Sequence, residues 1–211
     1  MKHKNVYLIG IAGGSGSGKT SFLRELMNHF GSEEVALVSQ DNYYYPKEKQ
    51  EKDIQGIENY DLPSSINRHH FFDDMMSLVQ GKPIEKLEYN FNNPAWKPQT
   101  VVVHPAPVII MEGLFVFHYH EMMEQLDYKV YIDVHHEERF RRRLKRDMTE
   151  RGYPEELINY QWRSHVRPAE EKFLEPYLSD CNLVVDNNDH YRGGLNELIG
   201  VIHGYLGNKS I

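Results

Sequence analysis

The segment Gly13-Gly14-Ser15-Gly16-Ser17-Gly18-Lys19-Thr20 constrains the fold of this 211-residue chain more than any other. It fits the spacing G-x-x-x-x-G-K-[ST] and stands between an apolar run, Val6 to Ile11, and a helical pattern, Lys19 to Phe30. Glycines let main-chain N–H groups approach phosphate oxygens, and the N-terminus of the following helix adds its positive end. Gly13, Gly14, Ser15, Gly16, Ser17 and Gly18 then form the cradle, Lys19 reaches the β- and γ-phosphates, and Thr20 offers its hydroxyl to Mg2+. The guanine-reading pattern Asn-Lys-x-Asp is absent from the sequence, so ATP is the expected nucleotide.

Such a loop needs a strand before it and a helix after it, and the rest of the chain keeps that alternation. Apolar, β-branched runs at Val6 to Ile11, Val35 to Val38, Val108 to Met111, Lys129 to Val134 and Leu183 to Val185 read as parallel strands covered on both faces. Helical patterns cover Lys19 to Phe30, Ile66 to Gln80, Glu137 to Glu150, Glu155 to Glu175 and Tyr191 to Leu206. The expected fold is therefore α/β, with a five-stranded parallel sheet between helical layers. Residues 41–104, rich in Tyr, Asn and Pro, break the rhythm and read as a substrate-covering insertion. Small strands are expected in it at Lys86 to Phe91 and Thr100 to His104. At roughly 150 residues per domain, one domain over 1–211 suits the length.

Composition narrows the partners. The net charge of −7 speaks against a general binder of nucleic acid or anionic membrane. The single cysteine, Cys181, rules out an internal disulfide framework and fits a reducing compartment. The basic start, Met1 to Lys4, precedes an apolar run that stops at Gly10, unlike a secretory leader, so a cytoplasmic location is expected. Twelve histidines lack the spacing of a zinc site. Trp162 and Phe173, inside a helical pattern, read as packing residues.

Ligands of an open parallel sheet gather beyond the carboxyl ends of its strands. The second strand delivers Asp41 there, and the Val108 to Met111 strand delivers Glu112-Gly113. Asp41 suits a general base that takes the proton of an attacking hydroxyl, and Glu112 suits Mg2+, directly or through water. Their plainer readings are a turn starting at Asp41-Asn42 and a strand-end carboxylate acting as a cap. Residues 139–151 carry seven basic and two acidic side chains, a local +5 against the global balance, which points to an anionic partner such as a transferring phosphoryl group. Arg143 and Arg146 share one helix face, as do Arg139 and Arg142. The competing reading is a solvated face paired to Asp147 and Glu150.

Taken with their order and spacing, these residues resemble the uridine–cytidine kinase family of P-loop nucleoside kinases. The resemblance spans about residues 6–186. It is carried by the glycine loop, Gln40-Asp41-Asn42-Tyr43-Tyr44, Asn59-Tyr60-Asp61-Leu62-Pro63, Tyr89-Asn90-Phe91 and Glu112-Gly113-Leu114. Arg142-Arg143-Leu144-Lys145-Arg146-Asp147, Glu150-Arg151-Gly152, Val166-Arg167-Pro168 and Phe173-Leu174-Glu175-Pro176 complete it.

The resemblance implies a P-loop NTPase-type three-layer core with a β-hairpin over the base and a helical lid, here 136–153. It implies transfer of phosphate from ATP to the 5′-hydroxyl of uridine or cytidine, giving UMP or CMP in pyrimidine salvage. Asp41, Lys19, Arg143 and Arg146 then match the catalytic set, Arg151 a further lid arginine, and Asp61 and Gln161 the ribose contacts. Tyr44, Tyr60, Tyr89 and Phe91 match the walls of the acceptor site. A homotetramer is also implied. Two positions depart from the pattern: Pro94 stands about where a base-contacting histidine belongs, and Tyr153 where the lid has another arginine. With that histidine gone, base recognition shifts to Asn92 or Asn93, or weakens. A kinase of another small alcohol, phosphoribulokinase-like or pantothenate kinase-like, is the alternative. A non-catalytic nucleotide sensor is a further one, against which Asp41 and the lid speak.

Overall fold

The computed structural model describes residues 5–93, 95 and 97–209. Its main sheet is built from β1 (Tyr7–Ala12), β2 (Val35–Ser39), β5 (Val108–Glu112), β6 (Tyr128–Asp133) and β7 (Leu183–Asp186), with β3 (Ile84–Leu87) and β4 (Thr100–Val103) forming a separate antiparallel hairpin. The main sheet runs β2-β5-β1-β6-β7 and every pairing in it is parallel. β5 is buried at all five positions and β1 at five of six, as strands covered on both faces must be.

Alternate residues of each strand feed two cores. Ile9 and Ile11 join Phe22, Leu23 and Leu26 of α1 (Lys19–Met27) and Leu195, Leu198 and Ile202 of α7 (Arg192–Lys209) on one face. Leu8, Ile109 and Met111 join Phe71, Met75 and Leu78 of α2 (Arg68–Val79) on the other, with Met122 of α3 (His120–Met123). Helix–sheet–helix layering is therefore the observed architecture. α2 starts at Asn67, whose side chain accepts from the His70 N–H, and fully buries Phe71 and Met75. The 41–104 segment thus supplies part of the core as well as a cover.

Two expected elements come out differently. The first hairpin strand lies at Ile84–Leu87, not Lys86 to Phe91. The ladder ends soon after Glu88 N–H donates to Gln99 O at 3.0 Å. Tyr89 N–H is then taken by Asn42 Oδ1 at 3.1 Å, which steers residues 89–91 away from the hairpin. The long helix expected over Glu155 to Glu175 is α5 (Glu155–Gln161), a π turn (Trp162–Val166) and α6 (Arg167–Phe173). Pro168 has no N–H for the Ser164 carbonyl and its ring crowds that turn, so the chain widens just ahead of it. Arg167 N–H accordingly donates to Trp162 O, five residues back. The basic helix is α4 (His136–Thr149). Among the described residues no helix is long and apolar enough to cross a membrane.

Candidate active site

β1 runs straight into the glycine loop. Gly16 (φ 80°) and Gly18 (φ 90°) take left-handed backbone, and a Cβ at Gly16 would run into the Arg139 carbonyl. α1 begins at Gly18 with no side-chain cap, so its first-turn N–H groups are free of internal competition and aim at the loop. Lys19 Nζ lies across the loop, donating to Gly13 O at 2.9 Å. The loop is braced from outside by Asn187 and by the Arg139–Glu170 pair, a role that sequence reasoning gave to none of the three. Asn187, just past β7, donates through Nδ2 to Ser17 O at 2.7 Å. Arg139 and Glu170 form a buried pair at 2.7 Å beside Gly14, so Arg139 faces inward and does not share a ligand-facing side with Arg142. Asn187 had a signal, since it follows the fifth strand as Asp41 and Glu112 follow or end theirs.

A cavity of about 780 Å3 runs from this loop to a cluster of aromatic rings, a size suited to small-molecule ligands. Gly14 through Thr20 line one end, with Arg142, Arg143 and Arg146; Tyr60, Tyr89, Phe91 and Tyr153 line the other. Asp41 and Asp61 also line it. The turn that carries Asp41 is Gln40–Tyr43, where Ser39 Oγ accepts from Asp41 N–H at 3.3 Å. Gln40 is wholly buried, accepts from Phe115 N–H at 2.8 Å and occupies the space that a Cβ at Gly113 would need. The ends of β2 and β5 are thereby locked together.

Burial pushes the Asp41 carboxyl up from its ordinary range, while Lys19, Arg151 and Arg146 pull it down. Glu112 accepts a short hydrogen bond from Ser39 Oγ and is pushed up to about 7, by burial first and by Asp41 second. Glu112 does not line the cavity; it stands one layer behind Asp41. A hydroxyl at Thr20 with carboxylates at Asp41 and Glu112 is an all-oxygen set, the donor chemistry Mg2+ prefers. The depth of Glu112 makes a water-mediated contact the fitting one.

The basic face of α4 is not a solvated surface. Asp147, with no exposed area, holds Arg143 (3.2 Å), Arg146 (2.8 Å) and Arg151 (3.2 Å) together. Arg143 also donates to Ser15 Oγ at 3.1 Å and to Gln161 Oε1 at 3.5 Å. Arg142 donates to Glu138 at 2.7 Å and to Asn187 O at 3.2 Å. In the acceptor half, Tyr44 is the hub, its ring 5.3 Å from Tyr89, 5.4 Å from Phe91 and 6.0 Å from Tyr60. Arg151 covers Phe91 at 4.7 Å. Asp61, pushed up by burial and drawn down by Arg143 and His165, receives its backbone order from Asn59 Oδ1, which accepts Asp61 N–H at 2.9 Å.

Pro94 and Trp96 lie outside the described residues. Asn92 lines the cavity in left-handed backbone (φ 62°), yet its Nδ2 is committed to Arg151 O at 3.1 Å. Asn93 Oδ1 accepts from Ala95 N–H at 3.0 Å, and Asn93 is not among the cavity-lining residues. Cys181 is half-buried just before β7, its thiol pushed up to about 11 by burial. Trp162 packs on Phe140 at 5.3 Å, and Phe173 on Phe115 at 6.0 Å.

Known proteins bear on this geometry. The model of the phosphoribulokinase/uridine kinase family matches residues 8–190. The chain belongs to this family. Relatives named uridine kinase include one from Brevibacillus brevis (34% identical over 194 residues, 92% of this chain and 91% of that one). Another, from Clostridium botulinum strain Langeland, is 33% identical over 199 residues, 94% of this chain and 97% of its own. Among solved structures, a kinase assigned to fructose transport in Silicibacter superposes with a TM-score of 0.64 at 14% identity, covering 86% of this chain and 90% of that one. One given as a possible uridine kinase from Bacillus stearothermophilus reaches 0.59 at 17%, covering 87% and 90%. At such identities these two bear on the fold alone. As a phosphoribulokinase/uridine kinase family member the chain is a phosphotransferase that draws on ATP.

Proposed function

We propose that the protein transfers the γ-phosphoryl group of ATP to the 5′-hydroxyl of uridine or cytidine. The observation that carries this reading is one continuous cavity with the glycine loop at one end, an aromatic wall at the other and Asp41 among the side chains lining it. The relatives named uridine kinase support the choice of acceptor.

In this reading the loop N–H groups and Lys19 grip the triphosphate. Tyr44, Tyr60, Tyr89 and Phe91 enclose the base, while Asp61 and Gln161 take the ribose hydroxyls. Asp41 orients the 5′-hydroxyl in line with the γ-phosphorus and takes its proton as the new P–O bond forms and the bond to the leaving ADP breaks. Phosphoryl transfer passes through a loose transition state, so alignment matters more than strong basicity. Arg143 and Arg146 meet the charge on the transferring group. Thr20, with Glu112 through water, would hold Mg2+, which neutralises charge on the phosphates when bound. Tyr153 lines the acceptor end with a phenol that can donate and accept. The homotetramer implied by the family resemblance belongs to the same proposal and is read by sedimentation.

A panel of alcohols supplied with ATP tests the reading. Uridine and cytidine are expected to give the corresponding monophosphates. Turnover of a sugar phosphate or a pantothenate-like acid with neither nucleoside accepted would overturn it.

A further inference from the structure

One side of the acceptor end of the cavity is formed by two stretches of chain that no ladder joins. One is the loop 51–61, which brings Ile57, Glu58, Tyr60 and Asp61 to the cavity wall. The other is α5 with its π turn, which brings Leu157, Gln161 and His165. The loop folds on itself: Asp53 N–H donates to Ile57 O at 2.9 Å and Asn59 N–H to Glu51 O at 2.8 Å. Its tip offers no apolar anchor, since Ile54 there is fully exposed.

One side chain spans the gap. Asp53 Oδ2 accepts from Tyr160 Oη at 2.7 Å and pairs with His165 Nε2 at 2.7 Å. Its Oδ1 accepts from Gln55 N–H at 2.8 Å and Ile57 N–H at 3.0 Å. The carboxylate is thus saturated on both oxygens, and His165 is buried. The Tyr160 hydroxyl, with the Ile57 amide and His165, holds this carboxyl well below the usual range. Among the described residues, the side-chain hydrogen bonds that join the loop to this helix both end on Asp53.

The π turn is what makes that possible. In a regular α-helix, residues five apart point about 140° away from one another, so Tyr160 and His165 could not meet one carboxylate. The wider π turn between them reduces that angle. Here the two rings lie 5.7 Å from each other, edge to face, with Asp53 bonded to both. Further bonds tie the end of the loop that carries Asp61. Asn59 caps Asp61 N–H through its side chain, and its carbonyl accepts from Ser65 Oγ at 2.9 Å.

We propose that Asp53 is a positioning residue for the acceptor: by latching loop 51–61 to the π turn it sets Tyr60 and Asp61 against the nucleoside. Asp53 itself is not among the residues lining the cavity. The proposal rests on the acceptor reading above and adds to it the residue that fixes one wall of the pocket.

The test uses the full-length protein and two variants, Asp53→Ala and the milder Tyr160→Phe. All four hydrogen bonds to the Asp53 carboxylate are lost in the first variant and one in the second, so KM for uridine is expected to rise by about tenfold or more in the first and by about threefold in the second. KM for ATP and kcat at saturating uridine stay within about twofold. Amide hydrogen exchange in residues 51–61 is expected to quicken in both variants, while β1 and β5 exchange as in the wild type. An unchanged uridine KM overturns the proposal, whatever the exchange does. So does an equal rise in both KM values, or faster exchange in β1 and β5, since either signals general loosening. If the wild type turns over another alcohol instead of a nucleoside, the acceptor reading fails, and the latch is judged on the KM for that alcohol and on the same exchange pattern.

Discussion

Asp41 and Glu112 show how one sheet edge can hold two carboxylates. Burial and mutual repulsion raise Glu112 to about 7, against about 4.3 for a glutamate in an unfolded chain. Between those values the folded protein holds a proton that the unfolded chain has released, so this residue makes stability fall as pH rises from about 4.5 through about 7. Without divalent cations, Glu112→Gln should abolish that part of the decline and leave the variant with a higher melting temperature than the wild type at pH 8. Calorimetry at pH 5 and pH 8 reads this directly, and an equally steep decline in both proteins would count against it. Activity in the presence of Mg2+ should fall in the same variant. At this scale the sequence was only partly legible. Asp41 and Glu112 could be placed at strand ends because an open parallel sheet exposes those ends. Asp147 could not be recognised as the anchor of three arginines, because an acid within a basic run reads as a surface pair until its burial is known.

The elements with a simple period were legible, and those shaped by tertiary partners were not. Continuous apolar runs marked all five sheet strands to within two residues at either end. The hairpin strand slipped because Tyr89 is taken by Asn42, a contact 47 residues away in sequence. The π turn left only Pro168 as a trace. α4 is the element whose function is easiest to isolate. Its Arg143 is buried, held by Asp147, Ser15 and Gln161, so it reaches the loop as a fixed charge rather than a mobile one. Arg143→Ala should lower kcat by on the order of 10- to 1,000-fold, as expected for a donor that stabilises transition-state charge. Steady-state kinetics with saturating ATP and nucleoside check it. A kcat equal to that of the wild type would reduce α4 to a structural lid.

Across the whole molecule, the sheet carries the phosphate loop, Asp41 and Glu112 on one rim, while α4, α5 and the 41–104 segment close over them. The fold and the glycine loop between β1 and α1 were readable because both follow from local pattern. The acceptor wall was readable only through the family resemblance, since Tyr44, Tyr60 and Phe91 meet only after three separate stretches converge. The central claim is that Asp41 aims an alcohol at the terminal phosphorus of a triphosphate gripped independently by the loop. Its most direct test is Asp41→Asn, with ATP affinity and single-turnover transfer to uridine measured on the same preparation. Transfer is expected to slow by about 100-fold or more, the scale of a lost general base, with ATP affinity changed by no more than about threefold. Transfer at the wild-type rate, or a matching collapse of ATP binding, would contradict it.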